Sequence, residues 1–153
     1  VDLVAVAAAL HWFAHDSFFS EVLRVVRPGG VFVAWSYGMP HIDSDDVEKV
    51  VHGFIDGLLG PYWPPEIRMV LDGYSSIELP FEELGAPAFE LQVEWPVERF
   101  LGFARTWSAV GCYVEEHGED PVLKLEAELD KIWERAAGPL PVSYRLDLRA
   151  GRV

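Results

Sequence analysis

An α/β fold with parallel strands at its front and helical insertions behind them is the class this sequence predicts. Three observations predict it. The opening run "VDLVAVAAAL" (1–10) is apolar over a strand's length, as in a strand covered on both faces. The stretch "LRVVRPGGVFVAW" (23–35) reads as a helix end, a tight corner and a second buried strand. Two late segments, 89–95 and 142–148, alternate apolar with polar residues, the period of a half-buried strand.

Taken in order, Val1 to Leu10 forms the first strand, with valines at 1, 4 and 6. Asp16 is placed to N-cap a helix in which Phe19, Val22, Leu23 and Val26 repeat at i, i+3, i+4 and i+7. Arg24 and Arg27 suit its negative end, and Pro28-Gly29-Gly30 stops it. Val31 to Trp35 is the second strand, so residues 1–38 make a βαβ unit, whose crossover is right-handed.

Residues 39–87 carry a helix and a lid-like insertion. Asp43 or Ser44 caps the helix, Val47, Val50, Val51, Phe54, Ile55 and Leu58 line one face, and Gly60-Pro61 closes it. The proline-rich residues 61–87 read as an irregular flap. Residues 88–153 contain the late strands and two intervening helices. In the first strand Phe89, Leu91, Val93 and Trp95 face inward. One helix follows Pro96 with Val97, Phe100, Leu101, Ala104 and Trp107 on its stripe. The other starts near Asp120-Pro121 with Val122, Leu125, Leu129, Ile132, Trp133 and Ala136. The closing strand alternates Val142, Tyr144, Leu146 and Leu148 with polar partners.

Charge narrows the functional classes. With 25 acidic against 12 basic residues the net charge is −13, which opposes nucleic acid and anionic membrane as partners. The lone Cys112 forms no internal disulfide and fits a reducing cytoplasm. No apolar run is long enough for a membrane helix. A phosphate-binding loop, a G-x-G-x-x-G turn and a G-x-S-x-G elbow are all missing. His11 and His15 share the spacing of a metal-binding helix, but no third strong ligand follows, and no metal is expected.

Five stretches carry a family resemblance: "VDLVAVAAALHWF" (1–13), "EVLRVVRPGGVFVAWSYG" (21–38), "YWPP" (62–65), "RTWSAVGCY" (105–113) and "PVSYRLDLRAGR" (141–152). The chain resembles class I S-adenosylmethionine-dependent methyltransferases, in the small-molecule branch that includes trans-aconitate methyltransferases. The resemblance implies a Rossmann-like sheet of which this sequence supplies the C-terminal part, strands four to seven, with a helical lid insertion. Val1 to Ala8 corresponds to strand four, Val31 to Trp35 to strand five, and the late pair to strands six and seven. The glycine-rich turn and ribose-binding acid of that family have no counterpart here. Binding of S-adenosyl-L-methionine is therefore expected to need an N-terminal half, and the chain alone is expected to be inactive.

The resemblance also implies site residues. Ala8, Ala9 and His11 lie where the strand-four end meets the donor's methionine portion, a position at which ligands bind in open α/β sheets. His11 is the candidate catalytic residue, available as a base if the acceptor is a hydroxyl or amine. Trp12, Trp35, Tyr37, Tyr62, Trp63, Arg105 and Trp107 are the candidate substrate-binding residues, with Tyr74 among the aromatics that could also line the pocket. Aromatic walls exclude water and favour a sulfonium cation, and an arginine grips a carboxylate in bidentate fashion. Two functions are expected to compete: methyl transfer to a small, carboxylate-bearing molecule, or a non-catalytic module that dimerises through an exposed sheet edge.

Overall fold

The computed structural model describes residues 1–133 and 138–153. Along the chain lie β1 (Leu3–Ala7), α1 (Asp16–Val25), β2 (Val31–Tyr37), β3 (His41–Ile42), α2 (Asp45–His52), α3 (Ile67–Leu71) and β4 (Glu82–Leu84). They are followed by β5 (Phe89–Trp95), α4 (Val97–Ala104), α5 (Ser108–His117), α6 (Val122–Trp133) and β6 (Leu140–Arg152). Single 3-10 turns occur at Leu10–Trp12 and Gly60–Tyr62, and a π-helical turn, Gly53–Leu58, continues α2. The six strands join in the order β1-β2-β6-β3, with β4 and β5 also paired to β6. None of the described helices is long and apolar enough to cross a membrane.

The chain divides into two compact units. The first comprises Val1–Met39, Glu66–Leu91 and Tyr144–Val153, the second Pro40–Pro65 and Gln92–Ser143. In the first, β1 and β2 are parallel, with Leu3 opposite Val31 and Ala7 opposite Trp35. β2 runs antiparallel to β6, Val31 opposite Arg152 and Tyr37 opposite Leu146. The corner that turns α1 into β2 depends on glycine. Gly29 has φ +79°, and a Cβ on Gly30 would sit 2.5 Å from Val26 Cγ1. Its amides are used as well: Gly29 N–H donates to the Val153 carbonyl at 2.6 Å.

One face of this sheet holds the core, where Phe32 and Ala34 are fully buried among Val6, Leu10, Phe19, Val22, Val26, Val70, Tyr74 and Ile77. The first strand was expected to be covered on both faces, and the structure corrects this. Leu3 is 53% exposed, and Ala5 and Ala7 are exposed with it. An apolar run marks a strand but does not show that both of its faces find partners. A second correction concerns 61–87. Val70, Tyr74 and Ile77 belong to the core cluster, so the later part of this segment is packed scaffold, and it contains α3 and β4. Residues 39–87 are thus shared between the units.

Helix starts also differ in detail. The N-cap of α1 is His15, whose Nδ1 accepts from Phe18 N–H at 3.3 Å; Asp16 follows in the first turn, where its charge still complements the dipole. Ser44 caps α2 by position.

The second unit is mainly helical. Its buried residues include Val47 and Val51 of α2, Phe54 and Ile55, Phe100, Leu101 and Ala104 of α4, and Val122, Leu125, Leu129 and Trp133 of α6. Among the described residues three helices lie between β5 and β6, where two were expected. Trp107 is the N-cap residue of α5, not the last residue of the α4 stripe, and Gly118 at φ +69° ends α5. The expected α6 stripe extends to Ala136, which lies outside the described residues. In β5 only Val93 and Trp95 are half-buried; Phe89 and Leu91 are 46% and 44% exposed.

Candidate functional site

At the carboxyl ends of β1 and β2 the backbone departs from ordinary geometry. Ala8 follows the last residue of β1 with φ +47°, a conformation its Cβ disfavours by roughly 1–2 kcal/mol. Its N–H donates to the Trp35 carbonyl at 2.7 Å, which closes β1 onto β2 one residue past their ladder. The chain then turns sharply, and Ala9 leads into the 3-10 turn that carries His11 and Trp12. Small side chains at 8 and 9 leave the backbone there open to close approach.

His11 packs between two aromatic rings. Trp12 lies 4.7 Å away, centre to centre, and Tyr74 6.2 Å away in a stacked arrangement. The Tyr74 hydroxyl is 3.1 Å from His11 Nδ1. Tyr74 is fully buried and has φ +61°. Ala8 and Tyr74 are the two non-glycine residues with positive φ among the described residues, and both belong to this one cluster. For a residue as bulky as tyrosine such a backbone is a genuine outlier, of the kind that persists where the surroundings dictate it.

The surroundings here are specific. Arg149, on β6, donates from Nη1 to the carbonyls of Tyr74 and of Ile77, the latter at 3.2 Å. Glu83 of β4 holds the same guanidinium, with Nε donating to Oε1 at 2.7 Å. The Tyr74 N–H donates to the Met69 carbonyl at 2.7 Å. Ser36 Oγ, on β2, is buried and has no partner at hydrogen-bonding distance. Its hydroxyl neighbours the Tyr74 hydroxyl and, as a hydrogen-bonding group, lowers the phenol's pKa against the effect of burial.

Titration behaviour follows from this packing. Burial lowers the His11 pKa from its ordinary 6.5, and the Glu66 charge only partly opposes it, so the ring is neutral at pH 7. Burial raises the Tyr74 pKa, with the Ser36 hydroxyl and the backbone N–H groups of His11 and Leu10 partly offsetting it. The phenol therefore keeps its proton.

Of the residues expected from sequence, Ala8, Ala9, His11, Trp12, Trp35 and Tyr37 lie in this first unit. Trp12 is 53% exposed against His11, Trp35 is half-buried, and Tyr37 packs edge-on to Tyr144 at 5.6 Å. Tyr62, Trp63, Arg105 and Trp107 belong to the second unit, where each has a packing or pairing role. Tyr62 hydroxyl and His117 Nε2 are 2.6 Å apart, and Trp63 Nε1 donates to the Ile55 carbonyl at 3.2 Å. Trp107 sits among Phe54, Trp63, Phe100 and Phe103 at ring separations of 6.1–6.5 Å.

Arg105, expected to grip an anionic substrate, is matched by two carboxylates of its own: Nε donates to Asp120 at 2.8 Å and Nη2 to Glu126 at 3.3 Å. Asp120 in turn accepts from Val122 N–H at 2.9 Å, at the start of α6. A substrate carboxylate would have to displace both partners. No three His, Cys, Asp or Glu side chains among the described residues gather as a metal site would require.

Ser36, Arg149 and Glu83 were not expected as site residues. The one local hint for Tyr74 was the Asp72-Gly73 turn before it, since Gly73 also has positive φ.

Known proteins resemble this chain. A family described as "Methyltransferase domain" matches residues 1–34, the segment that carries Ala8, Ala9, His11 and Trp12. A solved structure from Anaeromyxobacter dehalogenans, named "Putative Type II Methyltransferase", superposes with a TM-score of 0.85 at 41% identity. The overlay covers 99% of this chain and 64% of that one. The chain has a Rossmann-like methyltransferase fold. A curated Dictyostelium discoideum protein named "Putative methyltransferase" is 28% identical over 140 residues. That match takes in 90% of this chain, and the chain spans about half, 53%, of the relative's length. Within the methyltransferase fold, the strained Ala8 turn and the His11–Tyr74 pair stand at the strand ends where open α/β sheets bind ligands.

Proposed function

We propose that this chain forms the acceptor side of an S-adenosylmethionine-dependent methyltransferase acting on a small, carboxylate-bearing molecule. One observation carries the reading: the strained backbone at Ala8 and Tyr74 and the half-buried His11 between them come together at the end of β1, in a methyltransferase fold. Strain of this kind collects where a site must hold one geometry.

S-adenosylmethionine, when bound, supplies an electrophilic methyl group. The residues present suit it: Ala8 and Ala9 leave room for close backbone approach, and Trp12 offers a ring face suited to a sulfonium. Methyl transfer to an ionised carboxylate depends on alignment and water exclusion, with no proton to remove. His11 and Trp12 are the residues placed to orient the acceptor. Donor binding further requires a glycine-rich turn and a ribose-binding acid, which the family resemblance assigns to strands earlier than β1. We assign Trp35 and Tyr37 to the acceptor wall, and Cys112, exposed and unpaired, suits a cytoplasmic setting.

The test is calorimetry with S-adenosylmethionine, on the 153-residue chain and on a polypeptide extended by donor-binding strands, followed by transfer of labelled methyl to a panel of small carboxylic acids. Binding and transfer by the extended form alone support the reading. Tight donor binding by the 153 residues would overturn the assignment of the donor site to earlier strands, and no transfer by either form would overturn the function.

A second reading rests on the open face of the first unit. Leu3, Ala5 and Ala7 are exposed, and β1 pairs with β2 alone among the described strands. An uncovered apolar sheet edge favours association, so the chain would act as a dimerisation module. Light scattering that shows a monodisperse monomer would count against it.

A further inference from the structure

Proton bookkeeping at Tyr74 bears on what His11 can do. The phenol has one proton to give and an oxygen that accepts. The neighbours that lower its pKa are the N–H groups of Leu10 and His11, which only donate, and the Ser36 hydroxyl, which donates or accepts. The N–H groups of Leu10 and His11, at the start of a 3-10 turn, have no acceptor within the turn. The Ser36 hydroxyl approaches from β2. Among the described residues, the side-chain atom within hydrogen-bonding distance of the phenol oxygen is His11 Nδ1, at 3.1 Å. A phenol proton directed at Nδ1 requires a lone pair on that nitrogen, and the ring's own proton then resides on Nε2. No hydrogen bond occupies Nε2 among the described residues.

We propose that Tyr74 is a positioning residue that fixes the imidazole of His11 as its Nε2–H tautomer, so that His11 donates a hydrogen bond to an oxygen of the ligand and does not act as a base. The anchoring of Tyr74 supports this. Its carbonyl is held by Arg149, its N–H by the Met69 carbonyl, and its backbone is strained, so the phenol has little freedom to turn away. The neutrality of the ring at pH 7 agrees with it. A donor at this position suits an acceptor that arrives already ionised, such as a carboxylate, better than a hydroxyl or amine that must lose a proton. That statement of substrate class rests on the function proposed above; the tautomer does not.

The experiment is two-bond proton–nitrogen NMR of the ring nitrogens in the 153-residue chain, labelled with ¹⁵N-histidine at pH 7.5. The His11 signals are assigned by their loss in His11→Gln. A pyrrole-type Nε2 and a pyridine-type Nδ1 are expected. The opposite pattern would overturn the proposal, whatever the variants do. In Tyr74→Phe, if its amide spectrum stays dispersed, His11 is expected to move toward a mixture of tautomers; an unchanged pattern would remove Tyr74 from the role. If that variant does not fold, the wild-type spectrum still decides. A companion readout separates donor from base in the extended polypeptide. His11→Gln, whose amide N–H reaches a comparable position, should retain more transfer than His11→Ala, and equal losses would favour the base. Failure of donor binding leaves the NMR result untouched, so the two failures are distinguishable.

Discussion

Two histidine–tyrosine pairs joined side chain to side chain at hydrogen-bonding distance, among the described residues, teach different lessons. His117 and Tyr62 meet at 2.6 Å, exposed, with Tyr113 stacked alongside at the end of α5. His11 and Tyr74 meet at 3.1 Å, part-buried, on a backbone held in a rare conformation by an arginine from another strand. The residue types are the same, and the shorter contact is the one at the surface. What separates the pairs is what the surroundings demand. Water can replace any partner that the surface pair loses. The inner pair is part-buried beside the Ser36 hydroxyl, where water replaces a lost partner less readily. A contact between suitable residues is thus weak evidence for a site; a contact that the rest of the fold strains to maintain is stronger.

Substitutions can break this contrast, beginning with the largest effect. Tyr74→Ala removes a fully buried ring from the core and is expected to cost about 3–5 kcal/mol, while Tyr62→Ala should cost far less; urea melts of both check this. Similar losses would mean that the two pairs are equivalent. Next come the arginines. Arg149→Met strips charged hydrogen bonds from the Tyr74 and Ile77 carbonyls, for about 1.5–3 kcal/mol. Arg105→Met, which breaks a more exposed pairing, should lose about 1 kcal/mol or less. Ala8→Gly relieves the positive φ and should stabilise by about 0.5–1 kcal/mol, read as a rise in Tm. The same change at Ala109, inside α5, should destabilise by about 1 kcal/mol.

The smallest expected effect is on pH dependence. His11 has a folded-state pKa below 6.5, so the unfolded chain takes up its proton first as pH falls. The contribution is complete above about pH 6.5 and declines as pH drops through the folded value. His11→Gln should flatten that part of the stability profile, and an unchanged slope would show that the ring is not desolvated.

The sequence made some of this legible and not the rest, for identifiable reasons. β1, β2 and β6 were readable because apolar runs, a Pro-Gly-Gly corner and strict alternation are local signals. α5 was not, since Gly111 and Cys112 interrupt its polar–apolar pattern and Trp107 fits the stripe of the preceding helix just as well. The open side of β1 was missed because hydrophobicity records what a residue prefers, not whether a neighbour is present. Within the site, Ala8 and His11 were placed by their position at a strand end. The tyrosine in contact with His11 stands 63 residues further on, and no periodicity connects them. Tyr62, Trp63, Arg105 and Trp107 show the converse: aromatic and cationic residues in a suggestive order whose partners prove to be one another and their own helices.

The thirteen-residue strand β6 carries a kinetic consequence. β2, β3, β4 and β5 all hydrogen-bond to it, and it pairs residues 146–152 with residues 31–37. Among the described strands, a chain that has reached Gly138 pairs β1 with β2, while β3, β4 and β5 wait for their template. Contacts this distant along the chain make for slow assembly, in milliseconds to seconds and not microseconds. Until that template arrives the free edge of β2 is open to wrong partners, which makes early collapse the hazardous moment in the refolding of this protein.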